Sequence, residues 1–323
     1  MYSILSRRYI PRTTQLSRAR RFGAAATSLF LICAGLAIAA VCVEAQSEPS
    51  HPRGKGRLRS RVLPTPAPLP LPDNLNIPVY KPGPNPFRDG ETLIYRASWL
   101  GVPAADARIV IGQSKTHPEW WTGVMWLNTS EEVDLVYPMR DVFKENFDRT
   151  SLRPNDITIV QHEKQRLDQW HVTFDRADHL VTAIKINRHG KVTTRRFSGG
   201  DPLGPFSGVM MALSQPLKPG DSVTTDVFSG GNRYVFMFKV IDRERVTTGL
   251  GTFDTVKIEP WVLWLSEGSF RSQSRETTIW VTDDARHLPV RISSSVFFGD
   301  VYADLIQVTG GPPDPTAGKQ VAK

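Results

Sequence analysis

The sequence predicts an all-β protein built mainly on one antiparallel sheet, curved into a half-barrel or barrel, with one or two short helices. Three observations carry this. Between Phe87 and Thr309, short runs rich in β-branched and aromatic residues alternate with polar positions and are punctuated by turn residues. There is no series of strands alternating with long helices, as a parallel α/β fold requires. There is no internal repeat of fixed period.

Taken in order, Glu91–Trp99 and Ala104–Gly112 flank the turn Gly101-Val102-Pro103, and Glu119–Leu127 follows with Trp120, Trp121 and Trp126. A short helix is predicted near Glu131–Tyr137. Strands are then predicted at Val142–Phe147, Asp156–Glu163, Trp170–Asp175, Leu180–Ile186 and Lys191–Phe197, with turns such as Asp175-Arg176-Ala177-Asp178 and Arg188-His189-Gly190 between them. A second helix is predicted at Pro205–Ser214, ended by Pro216-Leu217-Lys218-Pro219-Gly220. Asp221–Phe228, Tyr234–Arg243, Thr252–Trp264 and Arg275–Thr282 lead into the closing hairpins. There Gly299-Asp300 fits a two-residue turn, pairing Phe298 with Val301, Val296 with Ala303 and Ser294 with Leu305. That register puts Ile292, Val296, Phe298, Val301, Ala303 and Leu305 on one face, and pairing Thr282 with Leu288 adds Trp280 opposite Val290. Arg291, Ser293, Ser295, Tyr302 and Asp304 fall on the other face.

The net charge of +8 is misleading until it is located. Residues 1–63 hold eleven Lys/Arg and two Glu, so the remainder of the chain sums to −1. A nearly neutral globular part gives no electrostatic footprint for nucleic acid. Cys33 and Cys42, the two cysteines, both lie in the apolar N-terminal segment, which excludes a disulfide framework, a thiolate nucleophile and Cys-ligated zinc in the globular part.

Residues 1–45 read as a signal peptide or an N-terminal membrane anchor. Arg7, Arg8, Arg12, Arg18, Arg20 and Arg21 precede an uncharged run from Phe22 to Val43, and Val43-Glu44-Ala45 offers small residues for a cut before Gln46. If the segment is retained, residues 22–43 give membrane contact. Either way the positive flank stays cytoplasmic and the bulk is translocated, to the periplasm or cell envelope. Arg7-Arg8 sits too far from the apolar run for a good twin-arginine signal, and Val41 is wrong before a lipoprotein cysteine at Cys42. Residues 46–86 read as a disordered proline-rich linker: eleven of the 41 residues are proline, every second one from Pro64 to Pro72. Such a tract favours extended polyproline II, reaching on the order of 70 Å over Pro64–Pro86. The basic Arg53–Arg61 cluster is solvated or touches anionic headgroups. Residues 310–323 read as a disordered tail, leaving 87–309 as the folded domain.

Several pieces in order carry a resemblance: Phe87-x-x-Gly90-Glu91-x-Leu93-x-Tyr95, Trp99-x-Gly101-Val102-Pro103-Ala104, Lys218-Pro219-Gly220-Asp221, and Ile279-Trp280-Val281-Thr282-Asp283-Asp284 through Leu288-Pro289-Val290 to Gly299. Together they resemble the exported bacterial family catalogued as domain of unknown function 3108, over Phe87–Val308. Ala104-Ala105-Asp106 departs from the small-Gly pair that often follows the first strand in that family. The resemblance implies an exported, β-rich envelope protein and transfers no catalytic residue. The closing hairpins also loosely resemble periplasmic lipoprotein carriers, which are curved antiparallel half-barrels, in fold only.

No residue pattern points firmly to chemistry. Asp283-Asp284 reads as turn chemistry, with side chains accepting backbone N–H groups, rather than as an acid–base pair. His117, His162, His171, His179, His189 and His287 show no metal-ligand spacing. A hairpin turn over Gln165–Asp168 would set Glu163 opposite His171. No serine stands in a nucleophile motif, and the Ser198-Gly199-Gly200 and Ser229-Gly230-Gly231 stretches read as loops. Asp141, Glu145 and Asp148 read as a surface rim offset by Lys144 and Arg149. The aromatic supply is more informative. Trp261-Val262-Leu263-Trp264-Leu265 is apolar on both faces, which suits a strand buried on both sides of a closed or strongly curved sheet. Trp121, Trp126, Phe236, Phe238, Trp261, Trp264 and Trp280 either fill a core or line a cavity for a lipid or other apolar ligand.

The expectation is a non-enzymatic envelope protein that binds an apolar ligand or an envelope partner in its concave face. No cofactor, metal or nucleic acid is expected. One alternative is a structural or assembly protein without ligand, tethered by its N-terminal segment; another is a hydrolase with a carboxylate site not identified from sequence.

Overall fold

The computed structural model describes residues 77–266, 269–273, 277–295 and 300–311, with 263–266 and 269–273 described for backbone alone. The signal or anchor segment, the proline run at Pro64–Pro72, the proposed Gly299-Asp300 turn and the tail beyond Gly311 lie outside the described residues, wholly or in part.

The strands run β1 (Glu91–Trp99), β2 (Val102–Gln113), β3 (Trp120–Thr129), helix α1 (Glu131–Asp134), β4 (Arg140–Asp148), β5 (Pro154–Glu163), β6 (Arg166–Asp175), β7 (Leu180–Asn187), β8 (Val192–Ser198) and helix α2 (Pro205–Leu213). They continue as β9 (Ser222–Ser229), β10 (Asn232–Thr248), β11 (Gly251–Ser266), β12 (Ser269–Gln273), β13 (Thr277–Thr282), β14 (Pro289–Ser295) and β15 (Asp300–Thr309). One sheet contains them in the order β8-β7-β6-β5-β4-β3-β2-β1-β15-β14-β13-β11-β10-β9, with β12 paired beside β11. Two antiparallel meanders therefore meet at the pairing of the first strand with the last, where Trp99 lies opposite Val301 and Thr92 opposite Thr309.

Side-chain alternation decides which face is concave. Leu93, Tyr95 and Ala97 on β1, Ala105, Ala107, Ile109 and Ile111 on β2, and Val301, Ala303 and Leu305 on β15 are all buried. The small residues Ala97, Ala105 and Ala303 face one another across three neighbouring strands, leaving room for the sheet to curl. The polar sides of the same strands stay outside, as in the Arg96–Asp106 pair at 2.9 Å.

The sheet curls until its edges meet without forming a continuous ladder. Phe228 of β9 sets its ring edge-on to Phe197 of β8, centroids 4.9 Å apart, and to Phe174 of β6 at 6.2 Å. Leu203 bridges the gap: its N–H donates to Asp226 O and its carbonyl accepts from Phe228 N–H, both at 2.8 Å. The passage from β8 to β9 carries α2 through the interior, and all nine residues of that helix are buried.

Two registers differ from the sequence expectation. In the last hairpin Ser294 pairs with Val301 and Ile292 with Ala303, four residues from the predicted pairing. An even slip preserves sidedness, so Ile292, Val301, Ala303 and Leu305 are buried as expected, while Val296 and Phe298 lie outside the described residues. Between β13 and β14 a bulge follows Trp280, which pairs with Arg291 instead of Val290. That places Trp280 on the outer face.

Candidate functional site

The inner face of β4 carries Asp141, Phe143, Glu145 and Phe147, all buried. Asp141 and Glu145 are thus interior groups, which corrects the surface rim expected for them. They share the parity of the two phenylalanines, while Arg140 and Lys144 take the outer positions. Glu145 caps α2 from across the barrel: Phe206 N–H donates to its Oε2 at 2.7 Å and Ser207 N–H to its Oε1 at 3.2 Å. Ser207 closes a local cap by accepting from Gly204 N–H at 2.8 Å. A Cβ at Gly204 would lie 2.4 Å from the Glu145 carboxyl, so the chain needs glycine there for close approach. Burial pushes the Glu145 carboxyl up to about 7, against the lowering effect of the hydrogen bonds from Ser207 and Phe206. At its far end α2 is held by His287, whose Nδ1 donates to Leu213 O at 2.7 Å.

Farther along the same inner face lie Asp141, Gln161, Glu163 and Asp168, all buried. Asp141 accepts from His162 N–H at 2.8 Å, and its carboxyl is held well above the usual range by burial and then by the Glu163 charge. Glu163 accepts from the Tyr137 hydroxyl at 2.8 Å, and Asp168 pairs with Arg166 at 2.5 Å and Lys185 at 3.1 Å. Glu163 lies opposite Arg166 across the two-residue turn Lys164-Gln165, while His171 pairs with Thr158, so the expected Glu163–His171 pair is not formed. Among the described residues no three His, Cys, Asp or Glu side chains group as a metal ion would need.

A cleft of about 540 Å³ opens at the seam where the sheet edges meet. Ile77, Val79, Leu203 and Met211 give it apolar wall, and Thr225, Asp226 and Arg233 line its polar side. Arg233 holds the cleft together. Its Nε donates to Asp226 Oδ1 at 2.6 Å, its Nη2 pairs with Oδ2, and its Nη1 donates to Gly199 O at 2.5 Å. Burial raises the Asp226 carboxyl while the Arg233 guanidinium opposes this. Thr225, only 2% exposed, has no hydrogen-bond partner for its hydroxyl. Residues 77–86, read from sequence as the end of the linker, pack along the cleft and α2. Thr224 N–H donates to the Tyr80 hydroxyl at 3.1 Å, Gly83 N–H to Ser214 Oγ at 3.1 Å, and Gln215 Nε2 to Lys81 O at 3.0 Å.

Among the described residues, those predicted as apolar lining divide between the core and the outer face. Trp121, Phe236 and Phe238 are buried in the core. Trp126 lies on the outer face under the Arg108 guanidinium, 5.4 Å from the ring centroid. Trp261 is 40% exposed, so its strand is open on one side at that position, while the side chains of Leu263 and Leu265 lie outside the described residues. Trp280 donates its indole N–H to Glu244 on the outside. The side chain of Trp264 lies outside the described residues. Asp284 does the turn work expected of it, accepting from Thr282 Oγ1 at 2.7 Å and Arg286 N–H at 2.9 Å, while Asp283 pairs with Arg243 at 2.7 Å. The seam cleft was missed because its walls come from chain segments far apart; the one local signal was Ser198-Gly199-Gly200, whose glycines have φ of 92° and 66°.

An open, barrel-like antiparallel sheet filled by a buried helix, with a cleft at its seam, is the class of protein these features define. The chain belongs to the family described as protein of unknown function, DUF3108, whose profile matches residues 94–306. No curated protein matches it. Among solved structures it is similar to a beta-barrel-like protein of domain of unknown function DUF1849 from Brucella abortus, at TM-score 0.47 and 8% identity, covering 68% of this chain and 96% of that one. It is also similar to a protein from Bacteroides fragilis described as exported with a YmcC-like fold, at TM-score 0.29 and 12% identity, covering 71% and 99% of the two chains. A third, described as a lipoprotein from Parabacteroides distasonis, gives TM-score 0.30 and 11% identity over 70% and 99%.

Proposed function

We propose that this protein is exported to the cell envelope and there binds a small amphipathic ligand, such as a lipid, in the cleft at the seam, without transforming it. The cleft is the observation that carries the proposal: about 540 Å³ is ample for a drug-sized molecule, and an apolar wall facing a few fixed polar groups is the usual make-up of a ligand site. Export is supported by the arginine-flanked apolar run Phe22–Val43. No helix among the described residues is long and apolar enough to cross a membrane.

One observation favours the ligand-free structural alternative: α2 occupies the concave face where an apolar ligand was first expected, and its residues are buried there. The hydrolase alternative draws no such support, because Asp141, Glu145, Glu163 and Asp168 point into a packed interior. Native mass spectrometry of the protein purified from the envelope, with solvent extraction of whatever it carries, tests the proposal. A co-purifying amphiphile is expected, and Leu203→Trp, which narrows the cleft, is expected to remove most of it. An empty wild-type protein, or equal loading of the variant, sinks the ligand assignment. An unprocessed N-terminus facing the cytosol sinks the export assignment.

A further inference from the structure

The two ends of the sheet differ in what their loops expose. The connections β1–β2, β3–β4, β5–β6 and β7–β8 all lie at one end, because the strands form an antiparallel meander. Their tips carry Leu100, Val102, Leu135, Val136, Ile186 and Val192, exposed by 68%, 55%, 88%, 67%, 40% and 58%. At the opposite end the connections 114–119, 149–153 and 176–179 expose no large apolar side chain, and the β10–β11 connection exposes Leu250 alone, by 37%. This segregation is hidden in the sequence, where the two kinds of loop alternate.

The aliphatic tips form a tied rim. Ser130 N–H donates to Ala104 O at 2.9 Å and Ser130 Oγ to Pro103 O at 3.1 Å, linking the first two tips. Lys164 N–H donates to Pro138 O at 2.9 Å, linking the second tip to the third, and Arg188 Nη1 to Gln165 O at 2.7 Å, linking the third to the fourth. Lys164, Arg188 and Lys191 are exposed on this rim. Its acids are Glu131, Glu132, Asp134, which pairs with Arg140, and Asp300, which begins the last strand beside Tyr302. Tyr302, 42% exposed, stands on the outer wall one residue below the Trp99–Val301 pair.

The geometry points to this rim as a docking surface for an anionic lipid bilayer. Two aliphatic side chains at each of three of the four tips suit shallow insertion between headgroups, whereas a stable protein interface wants a contiguous core rich in aromatic side chains. The three cations meet phosphate, and a tyrosine just behind the tips matches the amphipathic belt at a membrane surface. The inference stands apart from the cleft and its ligand.

The test uses the full chain with Cys33→Ser and Cys42→Ser, so that one introduced thiol carries a polarity-sensitive dye. The dye is placed at Val136→Cys on the rim, or at Leu250→Cys on the β10–β11 connection at the opposite end. Vesicles of phosphatidylethanolamine and phosphatidylglycerol, 3:1, are added. A blue shift is expected at 136 and none at 250, with at least about a tenfold loss of the half-saturating response when Leu100→Ser, Val102→Ser and Leu135→Ser are combined. No shift at 136, equal shifts at both ends, or a shift at 136 that needs no vesicles and grows with protein concentration overturns the inference. The last outcome would mark a contact between copies of the chain.

Discussion

At the residue scale, the informative groups are carboxylates in a core that the apolar pattern alone would have filled with hydrocarbon. Glu145 satisfies the first N–H groups of α2, yet does so in a water-poor interior that favours its neutral form. Its folded pKa of about 7 stands above the ordinary 4.5, so the folded state holds the proton more tightly than the unfolded chain. The corresponding stability is therefore full below about pH 4.5 and is lost as pH rises towards about 7, on the order of 2–3 kcal/mol across that window. Glu145→Gln is expected to flatten this slope, because the amide oxygen can still accept one N–H without ionising. Urea unfolding of both proteins at pH 5 and pH 7.5 checks it; an unchanged difference between the two pH values in the variant would assign the slope to other groups, Asp141 first. The sequence did hold the needed signal. Asp141 and Glu145 lie two or six residues from Phe143 and Phe147, always an even step, so they share a face with the phenylalanines, but acidic residues beside lysine and arginine read first as solvated.

At the element scale, strand existence was legible almost throughout, because alternation survives in nearly every strand with one face buried and one wet. What failed was pairing detail. The last hairpin slipped by four residues and β13 carries a bulge, since turn chemistry such as Gly299-Asp300 fixes register only if that turn is the one used. Helix α2 was legible from Pro205 at its start and the prolines after it, but nothing local says that it lies inside the barrel. Its placement rests on close approach: a Cβ at Gly123 would meet the Phe206 ring at 2.9 Å, and one at Gly208 would meet Val227 at 2.7 Å. Phe206 is 3% exposed, so Phe206→Ala is expected to cost about 3–5 kcal/mol and to loosen α2 from β3 and β4. Thermal unfolding gives the loss, and increased binding of an apolar dye to the folded variant would show that the helix had left a gap behind. A loss under about 1 kcal/mol would mean that the helix is a surface ornament, not part of the core.

At the scale of the whole molecule, the decisive feature is that a single sheet closes on itself by side chains instead of by a ladder. Edge strands invite pairing with other chains unless something covers them. Here β8 and β9 cover each other through the Phe197–Phe228 contact and the Leu203 bridge, and Tyr80 takes the Thr224 N–H. The lock is the Arg233–Asp226 pair, with the arginine side chain 5% and the aspartate 13% exposed. Because Arg233 also donates to Gly199 O, it ties the chain leaving β8 to the β9–β10 hairpin and shapes the cleft between them. Removing the guanidinium leaves a buried carboxylate without its cation, so Arg233→Met is expected to cost about 3–5 kcal/mol. The double variant Arg233→Met, Asp226→Leu leaves no buried charge and is expected to recover most of that loss. Global stability alone does not report the seam, so amide exchange is the companion measurement. In the single variant, amides of β8 and β9 are expected to exchange faster than those of β1 and β15, which lie in mid-sheet. Uniform acceleration across all strands would mean that the barrel opens everywhere at once, and the seam would then have no separate role in admitting a ligand to the cleft.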